Sequence, residues 1–153
     1  MLVFKALHIL SMFGAVTLLL GEALAYGVAI RRRDIGALAG IRRVTGRRPI
    51  LGAALLLAGV VFGLMTAWTG TFDLLDGWLI AAYVLVVAMF AFNALPWVQQ
   101  LPRLGDAAVE VEAGTRDAEQ LTAEMESSRA GILVAANVVL FAAIILDMVL
   151  KPF

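Results

Sequence analysis

The sequence predicts an all-α membrane protein, a four-transmembrane-helix bundle forming one domain over 1–153. Composition is the first observation: 62% of the residues are hydrophobic and 16% charged, with a mean hydropathy of +0.94, which lies outside the range of soluble domains. The second is the spacing of the apolar runs, at about 2–30, 49–68, 78–97 and 130–150, each near the ~20 residues that cross a bilayer as a helix. The third is charge segregation. Twelve basic residues balance twelve acidic ones, yet 31–48 is basic and 98–129 is mainly acidic. Cysteine is absent, which excludes disulfides, thiolate metal ligands and cysteine nucleophiles.

The first run, 2–30, ends at Arg31-Arg32-Arg33 and contains the only histidine, His8, and the mid-segment Glu22. Lys5, the apolar run and Ala23-Leu24-Ala25 share features with a cleaved secretory signal, but three arginines beyond that point oppose translocation, so the segment reads as an uncleaved anchor. At 100° per residue His8, Ser11, Met12, Ala15, Leu19, Glu22 and Tyr26 share one face, which should turn toward the bundle.

Arg31, Arg32, Arg33, Arg42, Arg43, Arg47 and Arg48 flank or fill the loop 31–48. By the positive-inside rule this loop and 98–129 lie in the cytoplasm and both termini lie outside. A basic loop beside a bilayer calls for anionic lipid headgroups and no nucleic acid.

In the second run Gly52, Gly59, Gly63, Thr66 and Gly70 recur at helical steps, and Gly59-x-x-x-Gly63 allows close backbone approach of another helix. Asp73, Asp76, Trp68 and Trp78 mark the outer interface around the turn 69–77. The third run carries Asn93 and the fourth Asn137, both at the same depth as Glu22. A glutamate in hydrocarbon is costly, by ~2.5 kcal/mol or more, so it must be neutralised or find donors such as the two amides and Tyr26. These four residues form an expected buried polar cluster, either a helix-holding network or a proton or ligand site.

The segment 98–129 has the composition of a soluble protein. Val109, Val111, Leu121 and Met125 permit an amphipathic helix there, Gly114 should interrupt it, and the part from Asp117 onward should run into the last span without a break. Its acidity suggests ion pairing with the arginine loop, or a docking surface for a partner subunit.

At the outer end, Asp147 can pair with Lys151 at i+4. A lone histidine facing a bundle core can hold a b-type haem from one side, with Thr66 and Met148 lining the pocket and the other axial position empty, methionine-filled or supplied by a second chain. The ordinary alternative is a hydrogen bond from His8 to Asp147 or to a backbone carbonyl.

Lys5-Ala6-Leu7-His8-Ile9-Leu10, Thr66 to Gly70 and Asp147-Met148-Val149-Leu150-Lys151-Pro152 resemble the DUF2269 family of bacterial integral membrane proteins. That resemblance implies a bacterial cytoplasmic membrane location and names no activity. The opening segment is similar, more distantly, to the membrane-bound protoporphyrinogen oxidase and copper-resistance D families, in which a first-helix histidine is linked to haem or metal. This chain lacks a second histidine near the end of that helix, so bis-histidine ligation does not carry over.

Two classes of function follow. One is a non-catalytic membrane component or accessory subunit, docking onto a partner membrane subunit or a second copy through glycine faces and the acidic segment. The other is a haem- or metal-binding redox protein using His8. A transporter is weaker, since inverted repeats and broken helices are missing. Nothing resembles a hydrolase triad, a phosphate loop or a zinc signature.

Overall fold

The computed structural model describes residues 2–46, 48–70, 73–94 and 99–150, with the side chains at 48, 49 and 94 excepted. Within those residues it is all helical, with seven helices: α1 Leu2–Arg32, α2 Ile35–Thr45, α3 Arg48–Thr69, α4 Gly77–Ala94, α5 Gln100–Glu112, α6 Ala118–Ser127 and α7 Ala130–Leu150.

Three helices are long and apolar enough to cross a membrane: α1, α3 from Ile50 and α7. The remaining expected span, 78–97, falls on α4, an apolar helix of 18 residues described as far as Ala94, and 95–98 lie outside the described residues. At 1.5 Å per residue α4 is about 27 Å long, just under the ~30 Å of a hydrocarbon core.

α1 is the axis of the bundle. It packs on α3 on one side and α7 on the other, and α4 packs on α7, while α3 and α4 scarcely touch. The predicted polar face of α1 is turned inward: Ser11, Ala15 and Tyr26 are buried, and Met12 and Leu19 pack against the core of Ala15, Leu56, Met89, Phe141 and Ile144. The glycines of α3 allow the approach. A Cβ at Gly52 would meet Leu19 at 2.6 Å and one at Gly59 would meet Met12 Sδ at 2.6 Å. In lipid, where apolar side chains gain little by leaving the solvent, such close packing is a principal source of helix association.

The two polar segments are not open loops. They fold into α2, α5 and α6 over the end of α1 that finishes at Arg32, here called the arginine end. Leu38, Ala39, Leu101, Leu104, Ala108, Leu121 and Met125 form a second core there, together with Tyr26, Ala29 and Ile30 of α1. α1 ends in a Schellman arrangement, with Arg33 at φ 54°, Arg33 N–H donating to Ile30 O and Asp34 N–H to Ala29 O. Asp34 then caps α2, its Oδ1 accepting from Ala37 N–H at 2.8 Å. α5 ends the same way at Gly114, φ 73°, with Gly114 N–H donating to Val111 O and Thr115 N–H to Glu110 O.

The expectation that the chain from Asp117 runs unbroken into the last span is corrected. α6 ends at Ser127, and Ser128 is extended at ψ 144° before α7 starts at Ala130. The Ser128 hydroxyl donates to Met125 O at 2.7 Å, offering the chain a local alternative to the next helical turn.

Ion pairs join the basic and acidic segments: Arg33–Glu126 at 2.7 Å, Arg42–Asp106 at 2.5 Å and Arg43–Glu112 at 2.5 Å. Arg116 bridges Glu110 and Glu124 within the acidic segment. Exposed pairs contribute about 0–1 kcal/mol each, so the apolar core holds this cap and the charges select which faces meet.

Candidate functional site

Beneath the cap, at the arginine end of the bundle, lies a cavity of about 400 Å³. α1 contributes Leu19, Glu22, Ala23 and Tyr26, spaced so that one helix face lines the wall. α3 adds Ala53 and Leu56, α4 adds Met89, Phe90 and Asn93, and α7 adds Asn137 and Phe141. Arg42 of α2, Gln99, and Leu101 and Pro102 of α5 close it on the cap side. Glu22, Tyr26, Asn93 and Asn137, expected as a buried polar cluster, thus line a single cavity, but only Tyr26 and Asn137 are buried, while Glu22 is half-buried and Asn93 is exposed at the open side.

The hydrogen bonds of the cluster determine its chemistry. Asn93 Nδ2 donates to Met89 O at 2.8 Å and to Asn137 Oδ1 at 3.4 Å, and Asn137 Nδ2 donates to Leu133 O at 3.1 Å. Backbone carbonyls only accept, so these bonds set which way each amide faces. Gln99 Nε2 donates to Asn93 O at 3.5 Å. Both N–H groups of Asn93 are therefore engaged, Asn137 and Gln99 each keep one, and Asn93 Oδ1 and Gln99 Oε1 are left as acceptors. Glu22 makes no hydrogen bond or ion pair among the described residues, although its charge acts on Arg42 and Tyr26.

Arg42 enters the site already matched. Its Nε and Nη2 donate to the two oxygens of Asp106 at 2.5 and 3.1 Å. The hydrogen bond to Asp106 raises its pKa above the ordinary arginine value, with the nearby charges of Asp106 and Glu22 adding to it. Tyr26 is 1% exposed, and its hydroxyl, beside Thr45 and pressed on Gly105, makes no hydrogen bond of acceptable geometry among the described residues.

The other expected site residues are not brought together in this way. His8 Nδ1 lies 2.6 Å from Gly59 O, a bond to a backbone carbonyl between α1 and α3. The Thr66 hydroxyl donates to Phe62 O within its own helix at 2.8 Å. Met148 is half-buried on α7. His8, Thr66 and Met148 line neither this cavity nor the grooves along α1 and the cap. Asp147 has a buried, unpartnered Oδ2, and Lys151, its expected partner, lies outside the described residues.

Of the arginines expected at lipid headgroups, Arg33, Arg42 and Arg43 face carboxylates, whereas Arg31 and Arg32 are exposed without an ion pair among the described residues. Arg47, and the side chain of Arg48, lie outside the described residues.

Sequence reasoning missed Arg42 and Gln99 as lining residues of this cavity, and Gly105 as the residue that makes room for Tyr26. Arg42 was legible in principle, since Asp34 is a helix cap and Leu38 and Arg42 stand four residues apart on one face.

No family model, curated protein or solved structure matches the chain.

Proposed function

We propose that the chain is a non-catalytic multi-pass component of a bacterial cytoplasmic membrane, with four spans, the arginine end in the cytoplasm and both termini outside. The observation that carries this reading is the contrast between the two parts of the surface. All the ion pairs described sit in the cap at one end, while the long helices present Leu10, Phe13, Val61, Ile132 and Val139 outward. Such a surface suits hydrocarbon on the sides and water or headgroups at the cap. Arg31 and Arg32 are the arginines open to anionic lipid. Kinship with the DUF2269 family belongs to the same proposal.

An accessory-subunit role needs a face for a partner or a second copy. Gly52, Gly59 and Gly63 are covered by α1, and much of the acidic segment faces arginines. The groove along α1 and α2, lined by Thr17, Gly21, Ala25 and Gly40, is the more open face, since a Cβ at Gly21 or Gly40 would meet nothing within 4 Å.

Reporter fusions test the topology. A reporter after Phe153 should be exported and one inserted at Gly114 should stay in the cytoplasm. A cytoplasmic C-terminus would sink the four-span reading.

A haem- or metal-binding redox role is the alternative, and one observation favours it. With Nδ1–H donating to Gly59 O, His8 keeps the Nε2 lone pair that a metal would take. The Thr66 hydroxyl is turned to Phe62 O of its own helix, and neither it nor Met148 shares with His8 any of the four cavities and grooves described above. A Soret band in protein purified from haem-replete cells, lost in His8→Ala, would favour this role over the first.

A further inference from the structure

We propose that the cavity beneath the cap binds a hydrophobic amine, a molecule with one protonated amino group and an apolar body, admitted from the bilayer between α3 and α4. The charge of the site decides the sign of the ligand. Glu22 and Arg42 are the charged residues lining the cavity, and Asp106, outside the lining, holds the Arg42 guanidinium through two hydrogen bonds. An anion would have to compete with Asp106 for Arg42. A cation meets Glu22, which makes no hydrogen bond or ion pair among the described residues and feels Arg42 only through space.

Hydrogen-bond polarity decides the head group. Asn93 spends both amide N–H groups, on Met89 O and Asn137 Oδ1, so it presents only its Oδ1 to the cavity, which with Glu22 and Gln99 Oε1 makes three acceptors. An ammonium carries three donors and no acceptor, the complement of that set. The Tyr26 hydroxyl, buried without a hydrogen bond among the described residues, supplies a further oxygen at the same wall.

The remaining lining decides the body. Leu19, Leu56, Met89 and Phe141 are apolar, and the rings of Phe90 and Phe141 can face a cation. A volume of about 400 Å³ is at the lower end of the range for small-ligand pockets, which calls for a compact ligand. Access is lateral. α3 and α4 scarcely touch, and Ala53 and Phe90, on opposite sides of that gap, are both exposed and both line the cavity. The access route rests on the bilayer reading above; the site itself does not.

The test compares three isosteres on the full-length chain in neutral maltoside micelles: aminoadamantane, adamantanol and adamantane carboxylate, followed by calorimetry. The amine should bind saturably and more tightly than the alcohol or the acid by at least about tenfold. Glu22→Gln, which keeps the shape of the side chain, should abolish that preference, and Ala53→Trp should block binding of all three. Equal binding of amine and alcohol by the wild-type protein, no saturable binding of the amine, or an undiminished preference in Glu22→Gln would each overturn the proposal. The wild-type comparison stands even if a variant fails to fold. Because it is made in micelles, its failure refutes the site and leaves the topology reading to the reporter fusions.

Discussion

The imidazole of His8 and the backbone of Gly59 join α1 to α3: Nδ1 lies 2.6 Å from the carbonyl oxygen, across 51 residues of sequence. One turn further along α3, a Cβ at Gly63 would stand 3.0 Å from both Nδ1 and Cε1 of the same ring. The histidine is thus a wedge as well as a donor. His8→Ala should lower stability in micelles by about 1 kcal/mol, the scale of interhelical hydrogen bonds in membranes. Gly63→Ala should cost about 1 kcal/mol or more by displacing the ring. In the double variant the methyl group occupies space the ring has left, so the two losses should sum to more than the measured loss. Strictly additive losses in unfolding experiments would show that the ring does not occupy the Gly63 notch.

Arg42 and Asp106 form the least exposed of the pairs joining the basic and acidic segments, with two hydrogen bonds between planar groups. A double-mutant cycle should give a coupling of about 1–2 kcal/mol for this pair. Arg33 and Glu126, exposed on both sides, should couple by no more than about 0.5 kcal/mol. Asp106 raises the pKa of Arg42 above the unfolded value, so the stabilisation is fully present below that value and is lost only as pH rises through the folded one. Since both lie at the far alkaline end, the Arg42–Asp106 coupling should survive a shift into the range where lysines titrate. Equal couplings for the two pairs would refute the ranking.

What the sequence made legible followed from periodicity. The inward face of α1 and the glycine ladder of α3 were readable because steps of three and four residues need no knowledge of the partner helix. That Glu22, Asn93 and Asn137 could meet was readable from depth alone, by counting inward from the ends of antiparallel spans. The cap was not. Seven arginines in and beside 31–48 mask an amphipathic helix whose buried face is only Leu38 and Ala39, with Ile35 and Ile41 beside it. The break between α6 and α7 was hidden for a different reason. Neither Ser128 nor Arg129 is a glycine or proline, and the extended Ser128 turns its N–H and hydroxyl to Met125 O, a local bond that a serine inside a helix can equally make. The end of the third apolar run, Leu95-Pro96-Trp97, lies outside the described residues, so the structure bears on that run only as far as Ala94.

Gly105 is required by Tyr26. A Cβ there would stand 2.6 Å from the tyrosine hydroxyl and 3.1 Å from Arg42 Cβ, on a ring that is 1% exposed. Gly105→Ala should therefore cost about 1–3 kcal/mol, through a shift of Tyr26 or of α5. Tyr26→Phe should be neutral or stabilising, because the hydroxyl it removes is buried without a hydrogen bond among the described residues, Thr45 standing beside it. It should also recover part of the Gly105→Ala loss. A large destabilisation by Tyr26→Phe alone would reveal a hydrogen bond at that hydroxyl and remove the basis for this pairing.

Gly40 and Gly114 separate space from backbone conformation. An added Cβ would meet nothing within 4 Å at either position. Gly40 lies inside α2, where alanine restricts the unfolded chain and suits the helix, so Gly40→Ala should stabilise the cap by about 0.5–1 kcal/mol. Gly114 holds φ 73° at the end of α5, and both carbonyls it helps satisfy, on Val111 and Glu110, depend on that left-handed turn. Gly114→Ala should cost about 1 kcal/mol, the penalty of a Cβ in that region. The opposite signs are the prediction, measured as unfolding free energies of the two single variants. A stabilising Gly114→Ala would mean that α5 does not end in the left-handed turn that lets the acidic segment fold back as α6.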